Sequence, residues 1–245
     1  MAVFYFSADT KNVSTLCIFC IASSRQLKIQ ISEIFYSLQG EGRLAGIPSV
    51  FVRLSGCPLR CRWCDTKYAW DTQAGREMDI EEVEKETSKY DTPYLVLTGG
   101  EPMVYPDLDV LVRNLAQKNR HITIETSGIR YIKGLACDLM SISPKLSNTG
   151  GPAEWFRPDE MKKLLAEYDY QLKFVVDSPE DLNEIAACLE TLGAVEPYKV
   201  YLMPQASNRA EYIQKAQWIA ESCLKTGFCF SGRLQVLLWD GRRGR

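Results

Sequence analysis

One histidine, no surplus of positive charge and no apolar run long enough for a bilayer narrow this chain before any motif is read. The formal net charge of −2 gives no electrostatic basis for gripping DNA or RNA, which needs a basic face. Arg242, Arg243 and Arg245 make a local basic cluster only. The apolar stretch 13–22 is far short of the roughly 20 residues of a membrane span. Only Lys11 precedes it as a cation, so the basic start expected of a secretory leader is not seen. The nine cysteines are odd in number, and three crowd one motif, so a reducing, cytoplasmic setting is expected rather than a disulfide framework. His121 comes at the start of an apolar run and is read as structural.

What is present reads as one α/β domain. With 46% apolar and 24% charged residues, 245 residues suffice to bury a full core. Residues 1–28 are expected to be a poorly ordered extension carrying Cys17 and Cys20, and 29–245 the folded domain. Period-two and short apolar runs predict strands at 29–35, 49–54, 94–97, 121–125, 138–143, 171–176, 199–203 and 234–238. Helical spacing predicts helices at 79–90, 106–118, 160–168, 179–192 and 209–226. Such alternation implies parallel strands joined by right-handed crossovers. With about six or seven of these strands in one sheet, it is expected to curl into a partial barrel rather than close an eight-stranded one, with its site at the carboxyl ends of the strands.

The chemistry concentrates in Cys57-Pro58-Leu59-Arg60-Cys61-Arg62-Trp63-Cys64, directly after the predicted strand 49–54. Three soft ligands on one short loop suit a thiophilic centre. A closed zinc site wants a fourth protein ligand, and no further Cys or His lies near in sequence. A four-iron cluster held by three thiolates keeps one iron free for a substrate or cofactor. A zinc knuckle and three reduced core cysteines remain as alternatives. Gln39 and Glu41, beside Gly40 and Gly42, form either a plain turn or a site for a polar heterocycle. Arg53, in an apolar strand, meets either a structural acid or an anionic ligand. Thr66 is a cap or turn residue when taken alone. Thr98-Gly99-Gly100-Glu101-Pro102, Thr126-Ser127-Gly128 and Pro144-Lys145 each follow a predicted strand, so they gather on the same rim as the cysteines.

The Cys-x-x-x-Cys-x-x-Cys spacing after a first strand resembles that of the radical S-adenosylmethionine enzymes, whose fold is a partial (β/α)6-type, TIM-like barrel. More narrowly, residues 29–245 resemble the 7-carboxy-7-deazaguanine synthases of queuosine biosynthesis. The resemblance rests on FYSLQGEG (35–42), PSVFVRLSGC (48–57), CRWCDT (61–66), LTGGEP (97–102), ETSG (125–128), ISPK (142–145) and LLW (237–239). It implies a [4Fe-4S] cluster on Cys57, Cys61 and Cys64. It also implies S-adenosylmethionine held by Gly100 and Glu101, by Ser127, Ser143, Pro144 and Lys145, and by Met203, Pro204, Gln205 and Ala206. The implied substrate is 6-carboxy-5,6,7,8-tetrahydropterin, ring-contracted with loss of ammonia by a lyase that uses no protein general base. Leu38, Gln39, Gly40, Glu41 and Thr98 would receive the pterin, Arg53 its carboxylate, and Arg245 would contact the substrate from the chain's C-terminal end. Thr66 would bind Mg2+. A flavodoxin or ferredoxin donor and a homodimer are implied too.

The chain departs from that family at its end, where RLQVLLWDGRRGR has Gln235 in place of an expected His and lacks an Asn-Lys pair near Gly241 and Arg242. LMPQASN also differs from the family's stretch. Two other readings compete: an activase that places a radical on a partner protein, and a zinc-stabilised module without enzymatic activity.

Overall fold

The computed structural model describes residues 27–117 and 119–244. Cys17, Cys20, Lys118 and Arg245 lie outside the described residues, as does nearly all of the expected extension. The first strand, β1 (Lys28–Leu38), opens one residue before the expected start and ends three residues after the expected end. It is followed by β2 (Pro48–Leu54), β3 (Arg76–Asp79), α1 (Ile80–Thr87), β4 (Tyr94–Gly99), α2 (Leu108–Leu115), β5 (His121–Thr126) and β6 (Leu139–Ile142). Then come α3 (Pro158–Glu167), β7 (Tyr170–Val176), α4 (Asp181–Leu192), β8 (Val200–Pro204), α5 (Arg209–Thr226), β9 (Cys229–Phe230) and α6 (Leu234–Trp239).

The strands form one nine-stranded sheet in the order β3-β1-β2-β4-β5-β6-β7-β8-β9. β1 pairs antiparallel with β2 and β3, and every pairing from β2 onward is parallel. In a flat sheet, with strands about 4.8 Å apart, β1 and β7 would stand about 24 Å from each other. Yet just beyond β1 the Arg43 amide donates to Gln171 Oε1 on β7 at 2.9 Å, and the Gly42 amide to Ser231 Oγ after β9 at 2.9 Å. The sheet is therefore curled into the partial TIM-like barrel, with helices on its outer side.

The core lies between sheet and helices. Leu97, Ile124, Met140, Phe174 and Leu202 are fully buried and join the leucines of α2 in one apolar cluster. Because side chains alternate along a strand, the neighbours of these residues face the other way, into the barrel. The parity of β1 is changed by a bulge. Ile31 pairs with Leu54 but Glu33 pairs with Arg53, so Ser32 is an extra residue on β1. Ile29 and Ile31 reach the core before the bulge, whereas Glu33 and Phe35 line the barrel interior after it. Without the extra residue Glu33 would share the apolar face of Ile31.

The expected strand at 234–238 is instead the helix α6. A short apolar run cannot by itself distinguish a strand from a helix turn. Here Leu234 N donates to Gly40 O at 3.0 Å, Val236 packs on Ala206 and Tyr212, and Leu238 faces solvent. The edge position beside β8 belongs to β9, which was not expected. β3 was not expected either. Its entry depends on Gly75, at φ +101, where an added Cβ would lie 2.2 Å from Ile31 O. Among the described residues no helix is long and apolar enough to cross a membrane. Truncating Phe174 to Ala is expected to cost about 3–5 kcal/mol in urea unfolding, since the outer layer has no slack to refill the space.

Candidate active site

The carboxyl ends of the strands surround a cavity of about 590 Å3. Its inner wall is a row laid out by strand register. Glu33 pairs with Arg53 and Arg53 with Thr98 on one side, and Glu125 pairs with Ser141 and Ser141 with Gln171 on the other. All but Gln171 line the cavity, and Gln171 Nε2 donates to Ser141 Oγ at 2.8 Å. Closed eight-stranded barrels fill this space with branched aliphatic side chains. Here it holds charged and polar groups, as a binding site does.

Cys57, Cys61 and Cys64 all line the same cavity. Their loop is pinned by backbone bonds from Gly56 N to Ala69 O at 2.8 Å, Cys57 N to Trp70 O at 3.1 Å and Arg62 N to Thr149 O at 2.8 Å. Gly100 is required here by packing: a Cβ on it would lie 2.2 Å from Gly56 O and 2.9 Å from Cys57 Cβ. The Thr66 amide donates to Cys64 Sγ at 3.4 Å, fixing the sulfur at the end of the loop. Burial pushes the Cys57 thiol up to about 11, so a metal must displace its proton. Among the described residues no group of three or more His, Cys, Asp or Glu side chains is gathered so as to hold one metal ion. Three thiols spread around one cavity fit a multi-iron cluster in which each takes a separate iron. In that respect the donor set suits the [4Fe-4S] group.

The same cavity is lined by a charge network centred on the buried Lys173 and Arg233. Glu41 accepts from Lys173 Nζ, from Gln235 Nε2 at 2.6 Å and from Arg233 Nε at 3.3 Å. Lys173 also stands 3.6 Å from Glu125. Arg233 continues to Asp65 Oδ2 at 2.6 Å and to Ala206 O at 2.6 Å, joining the cysteine loop to the C-terminal segment. Burial by itself would raise the Glu41 carboxyl. The charges of Lys173 and Arg233 and its hydrogen bonds outweigh that and hold it at about 2. Gln235 Oε1 is buried without a partner among the described residues, and an added Cβ on Gly40 would lie 2.0 Å from it. Any side chain at position 40 would oblige the Gln235 amide to move from this place.

Most of the residues singled out from sequence meet here. Leu38, Gln39, Gly40, Glu41, Arg53, Thr66 and Thr98 line the cavity, as do Gly100, Glu101, Ser127, Ser143, Lys145, Met203 and Ala206. Several turn their polar atoms to the protein. Gln39 Oε1 accepts from Gly40 N at 3.1 Å, as in a plain turn. Glu101 accepts from Ser127 N at 2.7 Å, from the Ser127 hydroxyl and from Thr126 Oγ1 at 2.6 Å. Thr66 Oγ1 donates to Asp65 Oδ1 at 2.7 Å. Arg53 donates through Nε to Glu33 Oε1 at 2.8 Å. Lys145 Nζ meets Ser143 Oγ at 3.0 Å. Pro144, Pro204 and Gln205 do not line the cavity, and Gln205 Oε1 is taken by Lys215 at 2.9 Å. His121 contacts the Tyr94 ring and is not among the cavity's lining residues.

Sequence reading missed Glu33, Asp65, Glu125, Lys173 and Arg233, and noted Gln235 only as a departure from the family. A signal existed for Lys173: Gln171 and Lys173 alternate with Leu172 and Phe174, a polar face inside a strand whose every residue is buried. Replacing Glu41 by Gln is expected to cost about 3–5 kcal/mol in chemical denaturation, because it strips Lys173 of its closest counter-charge. Glu41 with Leu plus Lys173 with Met should recover most of that loss. The carboxyl of Glu41 ionises at about 2 in the folded chain and ordinarily at 4.5, so its contribution is complete above that ordinary value and fades as acid approaches the lower one. The gap between wild type and Glu41→Gln should therefore be flat from about pH 5 to 8 and narrow below about pH 4.5.

Residues 51–148 match the family model described as the Radical SAM superfamily. The 7-carboxy-7-deazaguanine synthase of Halobacterium salinarum is 36% identical over 234 residues, covering 86% of this chain and 91% of that protein. The protein of that name from Pyrobaculum aerophilum is 36% identical over 227 residues, covering 89% and 98%. The crystal structure of QueE from Escherichia coli matches with a TM-score of 0.66 at 26% identity, over 83% of this chain and 93% of that one. TYW1 with a lysine-pyruvate adduct bound, at a TM-score of 0.52 and 14% identity over 71% and 73% of the two chains, shares the fold alone. With three thiols on one cavity of a partial barrel, and with relatives this similar over most of both chains, the chain belongs to the 7-carboxy-7-deazaguanine synthase family of the Radical SAM superfamily.

Proposed function

We propose that the chain converts 6-carboxy-5,6,7,8-tetrahydropterin to 7-carboxy-7-deazaguanine, contracting the ring with loss of ammonia, as a lyase of queuosine biosynthesis. The observation that carries this reading is one cavity that combines three thiols with a polar inner row whose cation, Arg53, is hydrogen-bonded, among the described residues, through Nε alone. Cys57, Cys61 and Cys64 would hold the cluster. When bound, the cluster and S-adenosylmethionine supply the one-electron chemistry that removes a hydrogen atom from the substrate.

The chain's own residues then bind and orient. Both terminal nitrogens of Arg53 are without a hydrogen bond among the described residues, a fork matched to a carboxylate. Thr98, next to Arg53 in register, offers a hydroxyl to the heterocycle. Gln39, whose Oε1 is taken by the Gly40 amide, keeps its Nε2 as a donor of the kind a pterin edge requires. Gly100, Glu101, Ser127, Ser143 and Lys145 form the wall assigned to the methionine end, and Met203 and Ala206 the wall assigned to adenosine. Pro144, Pro204, Gln205 and Arg245 are offered for these roles on resemblance alone. Thr66 is the proposed Mg2+ ligand, since a hard ion that keeps most of its water needs few protein oxygens. Reduction by a flavodoxin or ferredoxin, and assembly as a homodimer, complete the reading.

Anaerobic reconstitution tests it directly. Wild type should bind about four irons per chain, and it should consume the carboxylated tetrahydropterin. Cys61→Ala should lose both the cluster signal and turnover. Stoichiometric zinc without iron, or normal turnover by Cys61→Ala, would sink the proposal. Arg53→Ala should lower kcat/KM for the carboxylated substrate by roughly 10²-fold, the scale of one charge-assisted bidentate contact.

A further inference from the structure

Glu33 belongs to none of the roles assigned above, yet the fold goes to some length to place it. The bulge at Ser32 reverses the parity of β1 so that this carboxylate faces the cavity instead of the apolar layer. Its side chain is 13% exposed. It accepts from three separate segments: Arg53 Nε on β2 at 2.8 Å, Tyr68 Oη beyond the cysteine loop at 2.7 Å, and Arg243 Nε in the C-terminal tail at 2.9 Å. The Arg243 guanidinium also lies over the Tyr68 ring, 3.8 Å from its centroid.

A guanidinium can grip a carboxylate by two edges, one pairing Nε with a terminal nitrogen and one pairing the two terminal nitrogens. Glu33 occupies Nε of Arg53, so only the terminal edge remains for a ligand. Arg53 and Arg243 carry two positive charges against the one negative charge of Glu33. The cluster therefore keeps a single positive charge, matched to one carboxylate.

We infer that Glu33 is a positioning residue for the reaction: by holding Arg53 through Nε it obliges the substrate carboxylate to dock end-on, and so fixes which carbon of the ring faces the radical chemistry. This rests on the reading of Arg53 as the carboxylate anchor. Removing Glu33 has two opposed effects. It frees the orientation of Arg53, but it also leaves the cluster more positive, which favours anions of any orientation. Binding should therefore survive while turnover suffers, which a merely structural role would not produce.

The test uses full-length reconstituted enzyme, wild type and the variants Glu33→Ala and Glu33→Gln. Anaerobic calorimetry gives the Kd of the carboxylated tetrahydropterin and of a 6-methyl analogue without the carboxylate. Turnover assays give kcat and the ratio of 5′-deoxyadenosine released to product formed. Glu33→Ala should lower kcat at least about tenfold and raise the ratio, with Kd for the carboxylated ligand changed less than about threefold. Glu33→Gln, which keeps an acceptor for Arg53 Nε, should recover part of kcat and serves if the alanine variant does not fold. Unchanged kcat and ratio in both variants would overturn the inference, as would a loss confined to Kd. If wild type shows no preference for the carboxylated ligand, it is the assignment of Arg53 that fails, whatever the variants do.

Discussion

Lys173 lies on β7 with its ammonium buried against the carboxylates of Glu41 and Glu125, and the geometry of the cavity depends on that contact. Glu41 lies just beyond the end of β1, five strands away across the sheet. An ion pair this deep gains little net stability, since desolvating two charges cancels most of their attraction. What it supplies is a fixed crossing of the open barrel. The loop after β1 is drawn over the interior until its amides reach Gln171 and Ser231, and Arg233 extends the same network to Asp65 in the cysteine loop. Thiols, inner row and C-terminal segment thus share one electrostatic framework.

That framework explains why the interior is a site and not a packed core. A partial barrel leaves its inner face without a ring of partner strands, so inward-facing positions on β1, β2, β4, β5, β6 and β7 can carry Glu33, Arg53, Thr98, Glu125, Ser141 and Lys173. Stability is drawn from the opposite face, where Leu97, Ile124, Phe174 and Leu202 meet the helices. The division follows from the period of two along each strand. The single bulge at Ser32 lets β1, apolar on one parity at its start, serve the site on that same parity at its end.

Local pattern made much of this legible. The helix expected at 209–226 is α5, and the loops bearing Cys57, Gly100, Ser127 and Lys145 follow strands because strand length and the glycine and proline signals are encoded locally. The readings that fell short are those where partners lie far apart in sequence. The run Leu234–Trp239 is as apolar as a strand, and only Gly40 and Val236's contacts with Ala206 and Tyr212 make it a helix. Arg53 was open between a structural acid and a ligand. The fold supplies the acid, Glu33 at Nε, and sets Arg53 in the cavity's lining.

By itself the sequence determined the chemical inventory: three thiols on one loop, glycine-bearing strand ends, and an α/β order that must bring those ends to one rim. These are decided by short-range spacing and by the handedness of crossovers. Tertiary structure alone decided which charges meet. Glu33 finds Arg243 across 210 residues, and Glu41 finds Lys173 across 132 and Gln235 across 194. No local pattern announces such pairs, because a buried ion's partner is chosen by strand register and sheet curvature, which only the completed fold sets.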